Sequence, residues 1–234
     1  MRLPSLVVML SVTLGLWQAA VAYQSSGSVS GRVTYVGKLP EPIFVFESGA
    51  TQSIIAVDAQ KGVSSAVIYL HAPAAAAAGD APEMIVNQHN WWFTPAVVAV
   101  RAGQPVRFTN DDSSNHNVRA THGAPANRFS AYTGTGQPYV HRFRTNPELA
   151  PTMVTCDIHA WMMAWVYVFD HPHFTTSAPA GDFTLPDVPT GRYRLSVRHG
   201  PSGLSRDLEL DVSPGRDTHL DVVFDTAELR VPSR

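Results

Sequence analysis

The sequence predicts an all-β protein built as one β-sandwich or two. Three observations carry this expectation. Helical periodicity is nearly absent along the chain. Short segments rich in Val, Tyr, Phe and Thr alternate apolar with polar residues. The 16 Gly and 18 Pro punctuate those segments at close intervals, as the turns of a sandwich require. With 234 residues, 44% of them hydrophobic, the chain can fill one large core or two small ones. A formal net charge of −2 gives no reason to expect nucleic acid or a strongly anionic partner.

The first 22 residues read as a cleaved signal peptide that exports the protein to the periplasm or beyond. Arg2 gives a basic start, residues 6–17 are an apolar run, and Ala20, Val21 and Ala22 form a small-x-small cleavage site. The run is short for a bilayer span, and no second run of spanning length follows. The mature chain is therefore expected to have no membrane span.

Residues 27–37 alternate as a strand and end in a glycine turn, and the Pro40 and Pro42 pair then breaks the chain. An apolar strand follows at 64–71. Pro73, five alanines, Gly79 and Asp80 read as a linker, because so few alanines cannot nucleate a helix alone. From residue 82 the texture changes. Strands are expected at 84–87, 91–95, 96–100 and 105–109, then a polar, turn-rich region from His116 to about Pro138. Further strands fall at 139–143, 150–155 and 164–169. Arg142 and Arg144 flank Phe143 as the solvated face of a strand. In residues 181–197, Phe183 and Leu185 alternate inward, Pro189 and Gly191 make a turn, and Tyr193, Leu195 and Val197 alternate again. Strands at 208–212 and 220–224 close the pattern, and residues 227–234 are a tail.

Chemistry concentrates in residues 154–163, which carry the single cysteine, Cys156, then His159, Met162 and Met163. A thiolate, an imidazole and a thioether on one tight loop are soft ligands of the kind copper prefers. Residues 111–118 supply a second imidazole, His116. One cysteine in an exported chain cannot pair internally. Its plain alternative role is that of a small buried hydrophobe. With the neighbouring histidines and methionines, the ligand reading prevails. Two histidines, a cysteine and a weak axial methionine form the trigonal set of a blue-copper electron-transfer site.

Residues 84–169 resemble a cupredoxin, most closely the plastocyanin and amicyanin group. The resemblance rests on Phe108, Thr109, Asn110 and Asp111 running to His116, Asn117 and Val118, and on Cys156, His159 and Met162 spaced two residues apart before a strand. It implies a Greek-key β-sandwich with one type 1 copper held at one end by His116, Cys156, His159 and Met162, with Met163 as the rival for the axial place. It also implies that Asn117 hydrogen-bonds between the two ligand loops. Asn110 and Asp111 read as turn formers. Ala160 departs from the proline that many relatives carry after the ligand histidine, which bears on the potential more than on metal binding. An apolar surround of Ala160 and Trp161 beside His159 would suit a transient redox partner.

Residues 181–197 resemble a carboxypeptidase regulatory-like, or transthyretin-like, β-sandwich. Such modules begin with a Gly-x-Val-x-Gly-x-Val strand, which residues 27–33 match. The expected organisation is therefore a cupredoxin domain, 82–170, inserted between the halves 23–81 and 171–226 of a smaller transthyretin-like sandwich. The plainer arrangement has the N-terminal strands extend the cupredoxin sandwich.

A binuclear copper centre with two bridging thiolates is excluded by the single cysteine. His171 and His173 form a His-x-His pair, yet a trinuclear site needs several pairs. No nucleophile elbow, phosphate loop or paired-carboxylate pattern stands out, so no catalytic residue is expected. The expected function is that of an exported, monomeric, mononuclear copper protein that shuttles single electrons and is not an enzyme. Copper storage or delivery is the alternative.

Overall fold

A computed structural model describes residues 25–75 and 81–230. The expected signal peptide, most of the alanine linker and the last residues of the tail lie outside these. The chain is nearly all β, and among the described residues the only helical pieces are 3-10 turns of three residues.

In chain order, β1 (Ser26–Val36), the short hairpin of β2 (Ile43–Val45) and β3 (Ala50–Gln52), and β4 (Val67–Leu70) come first. Next are β5 (Met84–His89), β6 (Trp92–Thr94), β7 (Val97–Arg101), β8 (Pro105–Asn110) and β9 (His116–Ala120). They are followed by β10 (Phe129–Thr133), β11 (Tyr139–Arg142), β12 (Thr152–Thr155) and β13 (Met163–Phe169). The last are β14 (Phe174–Thr176), β15 (Asp182–Pro189), β16 (Gly191–His199), β17 (Leu204–Val212), β18 (Asp217–His219) and β19 (Val222–Asp225).

Four sheets are layered on one another. The first has the order β15-β1-β18, with β19 also on β1, and the second β14-β4-β16-β17. The third runs β10-β9-β12-β13-β7 and the fourth β11-β8-β5-β6. Side chains alternate across a strand, so each inner sheet feeds two apolar layers. Ile68 and Leu70 of β4 join Val29, Val33, Leu185, Leu195 and Phe224 in the core between the first and second sheets. Val67 and Tyr69, from the opposite face of β4, pack with Trp165, Tyr167 and Phe169 of β13 between the second and third. The other face of β13, Ala164, Val166 and Val168, meets Val86, Val106 and Phe108 between the third and fourth. This is why β4 and most of β13 are buried at every position and read as continuous apolar runs. Burying a Val, Leu or Phe in these layers contributes about 1.5–3 kcal/mol each.

The glycines of β1 reflect close backbone approach. A methyl group on Gly31 would stand 1.7 Å from the carbonyl oxygen of Leu220. The backbone nitrogen of Leu220 donates to the Ser30 carbonyl at 2.9 Å. Only a residue without a side chain fits under that crossing.

The structure corrects one expectation and adds one element. The region from His116 to Pro138 is not mainly turn: it holds the antiparallel pair β9 and β10, in which Thr133 faces His116. Its inward residues include His116 and Thr133, so the apolar alternation that marks a strand is interrupted by polar groups. The β2–β3 hairpin, between the Pro42 break and the 64–71 strand, carried no expectation at all.

Candidate metal centre

The inward face of the third and fourth sheets changes character toward one end. Along β5 it passes from Val86 to Gln88, along β8 from Val106 and Phe108 to Asn110, and along β9 from Ala120 and Val118 to His116, all buried. Beyond Val154 of β12 comes Cys156. Four strands thus deliver their last inward residue to one place, and each of those residues is polar or a thiol.

His116, Cys156 and His159 meet there, with their ligand-type atoms all within 4.8 Å of one another. The two Nδ1 atoms of His116 and His159 are 2.9 Å apart, and Cys156 Sγ lies 4.0 Å from the first and 3.9 Å from the second. These spacings suit a metal ion. A point in the plane of the three atoms that stands about 2.0 Å from each nitrogen falls about 2.3 Å from the sulfur, the ordinary metal–imidazole and metal–thiolate distances. All three residues are buried, His159 being the most exposed at 7%.

The Cys156–Met162 loop joins β12 to β13 and is closed by its own backbone. The N–H of Cys156 donates to the carbonyl of Met162 at 3.3 Å, and that of Met162 to the carbonyl of His159 at 2.9 Å. Met162 is fully buried and belongs to the adjoining apolar core, whereas Met163 opens β13. Asn117 lies across the two loops: its Oδ1 accepts from the Asp157 N–H at 2.7 Å and from the Cys156 thiol at 3.4 Å, and its Nδ2 donates to Asp157 at 2.9 Å.

The part taken by Asp112 carried no signal at the level of sequence. Its carboxylate is buried and 2.8 Å from His116 Nε2. It also accepts from the backbone N–H groups of Asn90 and Trp91, at 2.7 and 3.0 Å. Both of those residues have positive φ, the conformation a tight two-residue hairpin turn requires. One carboxylate therefore holds the β5–β6 turn and orients an imidazole. By keeping the ring proton on Nε2 it leaves the Nδ1 lone pair for the cluster, the usual way a carboxylate supports a ligating histidine. The Trp91 carbonyl in turn accepts from the Trp161 indole at 3.1 Å, and the Trp161 ring lies 5.3 Å from that of His159.

Asn110 is also more than a turn former. It is buried, donates to the carbonyls of Ser114 and Thr133, and accepts from the Asp112 N–H. Asp111 stays exposed at the surface and accepts from Asn87.

The surroundings ease loss of the Cys156 proton. Burial pushes the Cys156 thiol up, but its contact with His116 and hydrogen bonds with the backbone at Asn117, His159 and Ile158 outweigh it, and the pKa falls below its ordinary value. Burial likewise pushes His116 down, yet hydrogen bonds with Cys156 and Asp112 raise it overall. His159 is lowered, first by burial and then by His116, against opposing contributions from Glu47 and Asp112.

The sequence matches no protein-family model and no curated protein. Among solved structures, a copper-containing nitrite reductase from Thermus scotoductus SA-01 aligns with 58% of this chain at 18% identity and a TM-score of 0.34. The chain spans only 28% of that enzyme's length. Amicyanin from Paracoccus versutus aligns with 44% of this chain, and 97% of its own, at 23% identity and a TM-score of 0.33. A purple cupredoxin from Nitrosopumilus maritimus aligns with 37% of this chain, and 98% of its own, at 25% identity and a TM-score of 0.31. No helix of the described residues is long and apolar enough to cross a membrane.

Proposed function

We propose that this chain is an exported mononuclear type 1 copper protein that passes single electrons between redox partners. The observation that carries the reading is the convergence of Cys156 Sγ with the Nδ1 atoms of His116 and His159 at spacings a single ion can bridge. A thiolate with two imidazoles is a set that favours copper, and a methionine sulfur at longer range completes the blue-copper pattern. In this reading Met162 is the axial ligand. Copper held there would supply a one-electron couple.

The chain's own residues do the rest. Asp112 and Asn117 fix the ligand side chains before metal arrives, which limits rearrangement between oxidation states. Metal binding displaces a proton from the His116–His159 contact and one from Cys156. His159, lying toward the surface, offers the shortest exit for an electron. Ile158, 55% exposed, and Phe46, 86% exposed, are apolar groups on which a redox partner would dock.

The same reading includes the domain arrangement: residues 82–170 form the copper domain, inserted in a transthyretin-like sandwich made of 23–81 and 171–226. Pairing of β1 with β15, β18 and β19, and of β4 with β14 and β16, supports it. Residues 84–170 expressed alone should remain soluble and bind copper, and an insoluble fragment would count against the insertion.

The test of the function is the visible and EPR spectrum of residues 23–234 with Cu(II), beside Cys156→Ser. An intense visible thiolate-to-copper band that vanishes in the variant, and bleaches reversibly with ascorbate, is the expected result. Copper bound without that band would shift the reading to storage or delivery. Absence of copper binding would overturn it.

A further inference from the structure

Among the described residues, Asp112 is the only Asp, Glu, Lys or Arg that is buried. A side chain of that kind is rarely taken out of water unless it is paired. Its ion-pair partner is His116, 2.8 Å away, and the N–H groups of Asn90 and Trp91 supply its other donors. Donors reach both oxygens, the acceptor-only part of an ionised carboxylate. Orienting an imidazole does not by itself require a full charge, because a backbone carbonyl does the same for many ligating histidines.

A count of charge supplies a reason for the carboxylate. Ligation needs Cys156 as thiolate and both imidazoles free to bind through a lone pair. The buried set then holds two negative charges, one on Cys156 and one on Asp112. Neighbouring carboxylates are spent at the surface. Asp157 is exposed and paired with Arg119 at 2.8 Å, and Asp111 and Glu47 are exposed, where water and salt screen them. Two buried negative charges balance a dipositive ion and leave one in excess around a monopositive ion. In an interior where charges are poorly screened, the balanced state is favoured.

We infer that Asp112 matches the centre to a dipositive ion, so that copper held there is biased toward Cu(II) and its potential lies below that of the same ligands without the carboxylate. The inference rests on the copper reading and makes Cu(I) storage the role the centre suits least. Asp112 is a positioning residue that acts through His116, and the property assigned to it is its charge, beyond the hydrogen bonds it makes.

The test uses Co(II) and Ag(I), which carry the two charges without a redox change. Each is titrated at neutral pH into metal-free residues 23–234, wild type and Asp112→Asn. The amide keeps the shape and removes the charge. Co(II) should bind the variant about tenfold more weakly, within the range for partners of ligating histidines, while Ag(I) changes by less than about twofold. In copper-loaded protein the same tenfold change in preference raises the potential by about 59 mV. A loss of ligand position alone weakens both ions together, so equal weakening overturns the inference. Asp112→Ser, smaller and still an acceptor, gives the same reading should the amide disturb folding, which the urea transition reports. Wild-type protein that binds neither ion overturns the copper reading and the inference with it. Binding of both ions, with their affinity ratio unmoved in the variant, overturns the inference alone.

Discussion

The core between the first two sheets and the core between the last two are built from the same alternating strands, yet polar groups gather at one end of only the second. Between the first two, the buried cluster is Val, Ile, Leu, Phe, Tyr and Ala. That part also buries polar residues: Ser196, and His199, which follows Leu195 and Val197 on one face of β16 and pairs with Leu204. Between the last two, the inward positions turn to Gln88, Asn110, Asp112, His116, Thr133 and His159 at one end. A sandwich needs only the first kind of interior to fold. Burying this many polar groups costs free energy unless each finds a partner, and here each has one, so the second interior is held by a connected set of hydrogen bonds that the first does not need.

The sharpest way to break this comparison is Asp112→Ala. It leaves His116 Nε2 and the N–H groups of Asn90 and Trp91 without their acceptor, at a cost of about 4 kcal/mol from several orphaned donors. Urea unfolding of the metal-free protein should show that loss, and copper-loaded protein should lose its visible band or show it displaced. Leu195→Ala, in the apolar core, should cost about 3 kcal/mol through the cavity it leaves. Its copper spectrum should be that of the wild type. If Leu195→Ala altered the spectrum, the two interiors would not be separable.

The third prediction concerns pH. His199 is buried by its contact with Ser202 at 2.7 Å, and burial pushes its pKa down to about 4. The unfolded chain takes up that proton near the ordinary value of about 6.5. Stability is therefore full above that value and is lost as pH falls toward 4, by up to about 3 kcal/mol. Urea midpoints of metal-free protein across this window should fall, and His199→Asn should flatten the fall. His171, lowered by burial to about 4, adds to the same trend. Both groups lie outside the candidate centre, so acid should loosen the protein first away from it. At the small end, Arg192→Ala removes an exposed ion pair with Glu209 and should change stability by less than about 0.5 kcal/mol.

Much of this was legible in the sequence, and the reason differs from place to place. Phe183, Leu185, Leu195 and Val197 could be read inward because nothing but burial explains their alternation. His116, Cys156 and His159 could be singled out because a lone thiol near imidazoles has few other uses. Asp112 could not. It sits in a run of Asp, Ser and Asn that turn chemistry explains equally well, and only the folded β5–β6 turn brings its second task into view. β9 and β10 were hidden for a related reason: the residues they turn inward at the metal end are those least like a core.

β1 has a consequence in time. Ser26 pairs with Pro189, and Val33 with Val222, so β1, which bonds nearby only to the 61–63 segment, finds its strand partners among the last strands of the described residues. Strands β5 to β13 can meet one another as soon as they are all present. At ordinary synthesis rates the wait is on the order of ten seconds or more, and such distant pairings are slow to form even afterwards. Through that interval β1 and β4 lack their sheet partners, while the loops that carry His116, Cys156 and His159 already have theirs. Assembly of the candidate metal end can thus run ahead of closure of the molecule, and the final third of the chain acts as the clasp.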